Sequence, residues 1–315
     1  MNDSCIVVTN CTSRKRTLAE VPQGPSQLRC GSAKSVASAW VKALQRDTHL
    51  RPASDYYVGR GFSEARAVAT WLNARSLIVS TGLGLIDSTD LIPNYDLTIS
   101  PGQNSVLNLI SNASDPMSEW WHHVNHAWGK DNPFCKVLTL NPKSLLLIAL
   151  PSTYLALVQH ELACLSSEHV KRIRIFTSEL GRKNLPSQLA MQSLPYDERL
   201  EGSSISGTRT DFPQRALRHF VVTLNAATLP LSDGKWLVNQ SLSHMKMRTI
   251  PMRRRQNDNE IIEIIRSNWH AYGGSSGALL RCLRDDKLIA CEQSRFRSLW
   301  QHVRALVEQS KDAHD

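Results

Sequence analysis

Residues 77–96, LIVSTGLGLIDSTDLIPNYD, decide how this chain is read. Leu77, Ile78 and Val79 form an apolar run that reads as a buried strand, broken by Ser80-Thr81-Gly82-Leu83-Gly84 and a polar segment closing on Pro93, Tyr95 and Asp96. Two glycines straight after a buried strand let the backbone turn sharply or approach something closely. A second strand, Ile6 to Thr9, also runs into a polar loop, Asn10 to Lys15. Strand ends that carry hydroxyls, glycines and cations suit an anionic or nucleotide-like group. The plain structural alternative is ordinary loop chemistry between strands and helices.

Working outward, strands and helices alternate. Residues 35–47 and 63–74 have helical spacing, with Ser63 as a candidate N-cap. Residues 117–128 carry Trp120, Trp121, Val124 and Trp128, and 144–149 read as a central strand. Ser152 sits in N-cap position for a helix over 152–165, and 170–176 alternate cation with apolar residue, which predicts one wet face. The alternation predicts an α/β class: a three-layer domain with a central, mostly parallel sheet over 1–228. Residues 229–259 read as a linker region, with the polar stretch Met252 to Asn259 at its end. Residues 260–315 read as a small helical module of the helix-turn-helix or winged-helix kind, with helices over 260–270, 275–286 and 292–310.

The chain has 315 residues, 41% of them hydrophobic, so it can bury a substantial core. Its net charge of +9 favours a polyanionic partner. Arg253, Arg254, Arg255, Arg281, Arg284, Arg295 and Arg297 are the candidate contacts to duplex DNA phosphates. The seven cysteines include no CxxC pair, and Cys5, Cys135 and Cys164 stand in apolar contexts that suit buried thiols. The start shows no secretory signal and no apolar run approaches 18 residues, so a cytoplasmic protein is expected. There is no Walker loop, GxGxxG, HExxH or GxSxG, and His122, His123 and His126 read as a helix surface. Neither a metal nor a cofactor is expected.

Convergence is what stands out. Ser13-Arg14-Lys15, Tyr57 to Phe62, Ser80 to Gly84 and Ser152 to Tyr154 each lie at a strand end or helix start. If the strands are parallel neighbours, these loops share one sheet edge. The candidate ligand-binding set is Ser13, Arg14, Lys15, Tyr57, Gly59, Arg60, Ser80, Gly82, Gly84, Tyr95, Ser152 and Tyr154. Arg14 or Arg60 suits a phosphate clamp, Lys15 a point charge, and Tyr57, Tyr95 or Trp120 a base-stacking platform. Lys15 and Asp96 are the candidate catalytic pair. The alternative leaves the aromatics in the core and the cations solvated.

These segments resemble, in order, the YaaA-like (peroxide-stress, DNA-associated) family over about residues 1–225. The residues concerned are the Cys11–Lys15 loop, Tyr57 with Gly59, Ser80 to Gly84 with Asn94-Tyr95-Asp96, Glu119-Trp120-Trp121, Leu150 to Tyr154, and Asp211 to Phe220. The chain departs from the family at Thr12-Ser13-Arg14-Lys15, where proline-alanine-lysine is usual, and at Thr153, where a glutamate is usual. A fainter similarity reaches a domain of archaeosine synthase. The resemblance implies a DNA-associated, nucleotide-binding protein of stress response, DNA modification or phage (antiviral) defence, alongside partner proteins of such a system. The alternative is an enzyme acting on a nucleobase, nucleotide or deazaguanine-like base.

Overall fold

A computed structural model describes residues 4–16, 21–247 and 252–312. The chain divides into two units, Met1–Arg248 and Thr249–Asp315.

The first unit is α/β, built on a five-stranded sheet in the order β4-β3-β1-β6-β7. The strands are β1 (Cys5–Asn10), β3 (Arg75–Ser80), β4 (Gly84–Asp87), β6 (Leu145–Ala149) and β7 (Ile173–Phe176); β2 (Arg51–Pro52) and β5 (Leu91–Ile92) form a separate antiparallel pair. Strands β3, β1, β6 and β7 are parallel, and β4 returns antiparallel beside β3 with Ser80 opposite Gly84. The chain is β-branched and apolar where the sheet is central, as burial on both faces requires. Pleating sends Ile6 and Val8 into one core and Cys5 and Val7 into the other.

Helices Ala33–Leu44, Pro116–Ala127 and Ser152–Ala163 cover the first face; Arg60–Leu72, Phe212–Arg218 and Leu231–Ser243 cover the second. Side-chain caps start two of them: Ser32 accepts from Ser35 N, and Asp115 accepts from Ser118 N ahead of Pro116.

Several expectations need correction. The helix expected from Ser63 begins at Arg60, because Gly59 at φ 124° turns the chain before it. Ser152 is the first helical residue, and Pro151 occupies the cap. The segment after Gly84 is an edge strand. All four residues of β7 are buried, and Arg174 satisfies itself on the carbonyls of Lys171 and Ile173 at 2.9 Å each. Cys164 is exposed. Much of the expected linker is core-forming, since Leu231–Ser243 buries Val238 and Leu242 completely. Residues 248–251, within that linker range, lie outside the described residues.

The second unit holds helices Asp258–Ser267, Ser276–Arg281 and Gln293–Asp312, the middle one continuing through a wide turn over Cys282–Asp286. Strand β8 (Arg254–Arg255) runs parallel to β9 (Ile289–Ala290). Ile261, Ile265, Leu279, Leu283, Phe296 and Val303 form its core, and Asn257 with Glu260 makes a capping box. No helix among the described residues is long and apolar enough to cross a membrane.

A fragment ending at residue 247 is expected to melt cooperatively. One ending at 228 should lose on the order of 3–6 kcal/mol, because two fully buried aliphatic side chains go with the deleted helix. Thermal unfolding followed by circular dichroism checks this; equal melting of both fragments contradicts it.

Candidate functional site

Taken in chain order, the four parallel strands lie second-first-third-fourth across the sheet, so the order reverses between β1 and β6. Doubly wound sheets bind ligands outside the carboxyl ends of the strands at such a reversal. Three loops meet there. Cys11 continues the β1 ladder through its amide, which donates to Val79 O at 2.9 Å. Its Sγ lies 3.1 Å from Tyr154 OH, tying the end of β1 to the helix after β6, and 4.0 Å from Thr81 Oγ1 beyond β3. Burial pushes the Tyr154 phenol well above its ordinary range, and the Cys11 thiol adds to that.

Beside this bridge is a buried hydroxyl cluster. Tyr57 OH and Tyr95 OH are 2.5 Å apart, and Ser80 Oγ is 2.7 Å from Tyr95 OH. Ser80 Oγ also accepts from Leu83 N at 3.1 Å and so closes the Gly-rich turn. Tyr56 OH accepts from Tyr95 N and lies 2.9 Å from both Asn94 Oδ1 and Tyr95 O. Burial holds the Tyr57 and Tyr95 phenols far above their usual range and lifts Tyr56 to about 12.

Lys15 sits at the margin. Its Nζ donates to Tyr95 O, lies 4.1 Å from the centre of the Tyr95 ring and is 3.7 Å from Asp96 Oδ1. Burial lowers the Lys15 ammonium; Cys11 and Asp96 act in the opposite direction. Asp96 is 42% exposed and accepts from Asn104 Nδ2 at 2.6 Å, so the cluster meets solvent on this side.

The glycines serve close approach. A Cβ on Gly82 would stand 2.9 Å from Tyr95 and 3.1 Å from Trp40; one on Gly84, at φ 70°, would stand 2.2 Å from Asn125 Oδ1. Trp40 and Trp128 both donate to Gly82 O, at 2.8 and 3.2 Å, and Trp120 donates to Thr81 O at 2.8 Å. Trp120, Tyr57 and Tyr95 are all fully buried, which removes the three of them as base-stacking platforms.

The structure therefore gathers Lys15, Tyr57, Ser80, Gly82, Tyr95, Asp96 and Tyr154 at one end of the sheet. It does not bring in the two phosphate-clamp candidates. Arg14 is exposed and joins the loop only through its backbone carbonyl, which accepts from Val58 N. Arg60 starts a helix of the second face, where it meets Ser206 O, Glu64 and Asp211. Ser13 is exposed in the β1 turn, Gly59 serves the helix start, and Ser152 stands at the head of the Tyr154 helix. Sequence reading passed over Cys11, Tyr56 and Thr81 as site residues, although each directly adjoins a residue or strand end it had singled out.

In the second unit, Arg253, Arg255, Arg284 and Arg295 line one cavity of about 760 Å³. Arg254, Arg281 and Arg297 are exposed and do not line it. A cavity of about 480 Å³ in the first unit is lined by Glu119, His122, His160 and Glu161 among others. Among the described residues no group of three or more His, Cys, Asp or Glu is placed to hold a metal ion. Comparison with protein-family models, with curated proteins and with solved structures finds no match to this chain.

All six tyrosines are raised in the folded chain. The fold favours the neutral phenol, so this stability is complete below the ordinary tyrosine pKa of about 10 and is lost as pH climbs through the folded values. Ultraviolet titration is expected to show no tyrosinate until past pH ~10, then ionisation together with loss of near-ultraviolet dichroism. Tyr56, Tyr57, Tyr95 or Tyr154 ionising near the ordinary pKa in a still-folded protein would contradict the buried cluster.

Proposed function

We propose that this chain is a DNA-associated protein. In this reading its α/β unit holds a nucleotide or nucleobase at the ends of β1, β3 and β6, and its C-terminal unit, of helix-turn-helix or winged-helix kind, contacts duplex phosphates. The observation that carries the reading is Lys15. A cation lies against the face of Tyr95 and beside the partly exposed Asp96, at the edge of a hydroxyl cluster near the strand ends. Of the residues that resemble the YaaA-like pattern, Tyr57, Ser80, Gly82, Tyr95 and Tyr154 meet here. The net charge of +9 supports a polyanionic partner.

A second reading is favoured by one contact. Lys15 and Asp96 place an acid and a base 3.7 Å apart, with the Cys11 thiol bonded to Tyr154 close by. That constellation suits an enzyme acting on a nucleobase, nucleotide or modified, deazaguanine-like base. Partner proteins of a stress-response, modification or defence system belong to either reading.

Native mass spectrometry of the purified chain, with thermal-shift titration of nucleoside monophosphates, tests the first reading. Lys15→Met is expected to weaken nucleotide binding about tenfold or more, the loss of one charge-assisted hydrogen bond. Duplex DNA binding should fall steeply between low and moderate salt. Absence of both nucleotide and DNA binding at low salt refutes the proposal. Turnover of a free or DNA-borne base, abolished by Lys15→Met and by Asp96→Asn, would instead establish the enzyme.

A further inference from the structure

Seven arginines of the second unit are candidates for phosphate contact, and the structure treats them unequally. Four of them converge on one cavity from three parts of the chain. Arg253 and Arg255 come from the entry to the unit around β8, Arg284 from the wide turn over Cys282–Asp286, and Arg295 from the first turn of helix Gln293–Asp312. At about 760 Å³ the cavity is within the range of ligand sites.

Three of the guanidiniums are held in position. Arg253 Nε donates to Arg284 O at 2.8 Å, and its Nη2 to Asp285 Oδ1 at 2.8 Å. Arg284 spends Nε and Nη2 on the single carbonyl of Cys291, at 3.1 and 2.7 Å. Arg295 donates to Asp258 Oδ1 from Nε at 2.8 Å and to Gln256 O from Nη2 at 2.9 Å. A guanidinium has five donors, so each retains at least two beyond these contacts. Holding the side chains beforehand also reduces the entropy that binding must spend.

Two of the four are already ion-paired, Arg253 with Asp285 at 2.8 Å and Arg295 with Asp258 at 2.5 Å. Glu292 is the one carboxylate lining the cavity, against four arginines, and it already accepts from Ser294 Oγ at 2.5 Å. Among the described residues Arg255 and Arg284 form no ion pair, so the charge open to a ligand is chiefly theirs. Glu292 caps the helix that supplies Arg295, its carbonyl accepting from Phe296 N at 2.9 Å, so its carboxylate offsets the positive end of that helix dipole.

We infer that this four-arginine cavity is the phosphodiester-binding site of the C-terminal unit, and that a nucleic-acid backbone is gripped there rather than across the exposed arginines 254, 281 and 297. The inference rests on the DNA-associated reading above and deepens it by naming the residues that hold the strand. Planar forks fixed in a concave site take phosphate oxygens in pairs, whereas a solvated arginine on a helix surface acts as a mobile point charge.

The test is fluorescence anisotropy of the full chain with a labelled mixed-sequence duplex across a salt series. Arg255 is exposed, so Arg255→Ala leaves the core of the unit intact. It is expected to weaken binding about tenfold and to lower the salt slope by about one. Arg284→Lys keeps the charge but loses the fork, and is expected to weaken binding with the slope unchanged. Arg266→Ala, on an exposed helix position outside the cavity, removes the same charge and is expected to change affinity less than twofold. Wild-type binding that survives Arg255→Ala and Arg284→Lys but falls with Arg281→Ala or Arg297→Ala overturns this inference alone. A wild-type chain that binds no duplex at low salt overturns the DNA-associated reading itself. Melting of each variant like wild type shows that the losses are not losses of fold.

Discussion

The first unit depends on the hydrogen bond network around Tyr95 OH. That hydroxyl lies 2.5 Å from Tyr57 and 2.7 Å from Ser80 with no solvent exposure. A polar group so deep in a core is tolerated only when it is bonded, and leaving one unpaired costs about 1–3 kcal/mol. Tyr57, Ser80 and Tyr95 belong to three segments remote in sequence. Satisfying their hydroxyls together therefore fixes where the turn after β3, the segment before Gly59 and the loop after Pro93 must lie. Gly82 follows from the same constraint, since any Cβ there would enter the space of Tyr95 and Trp40.

The chemistry of the site grows out of this anchoring. Because Tyr95 is fixed, its carbonyl and ring face are fixed, and Lys15 finds both within reach. The lysine joins the buried cluster to the exposed Asp96, so one side chain carries the transition from core to solvent. The same fixed framework explains why Arg14 and Arg60 are absent. The backbone of 14–16 is spent pairing with 56–58, through Val58 N to Arg14 O and Arg16 N to Tyr56 O, which leaves the Arg14 side chain in solvent.

Much of this fold was legible in the chain. Val7-Val8, Leu77 to Val79 and Leu145 to Ile148 are continuous apolar runs, and such runs require burial on both faces. The two glycines after Ser80 marked a close approach correctly, although what approaches is the protein's own Trp40, Tyr95 and Asn125. Periodicity misled where local chemistry was overridden by distant contacts. Arg174 alternates as if facing water, yet backbone carbonyls at the start of its own strand satisfy it in the interior. Leu231–Ser243 has a weak apolar pattern because Gly234 and polar residues interrupt it, while its packing depends on Phe220 and Leu194 far back in the chain. Convergence of Cys11 on Tyr154 required the strand order, which no local pattern encodes.

Three of the eight tryptophans aim their indole N–H groups at the adjacent carbonyls of Thr81 and Gly82. An indole's excited state is sensitive to its hydrogen-bonding partner and to the fields around it. The turn at the end of β3 thus carries a built-in optical reporter. Lys15 lies over Tyr95, whose ring meets Trp40 edge-on with centroids 6.1 Å apart, so a charged group settling beside Lys15 would act on the intrinsic emission of the unlabelled protein.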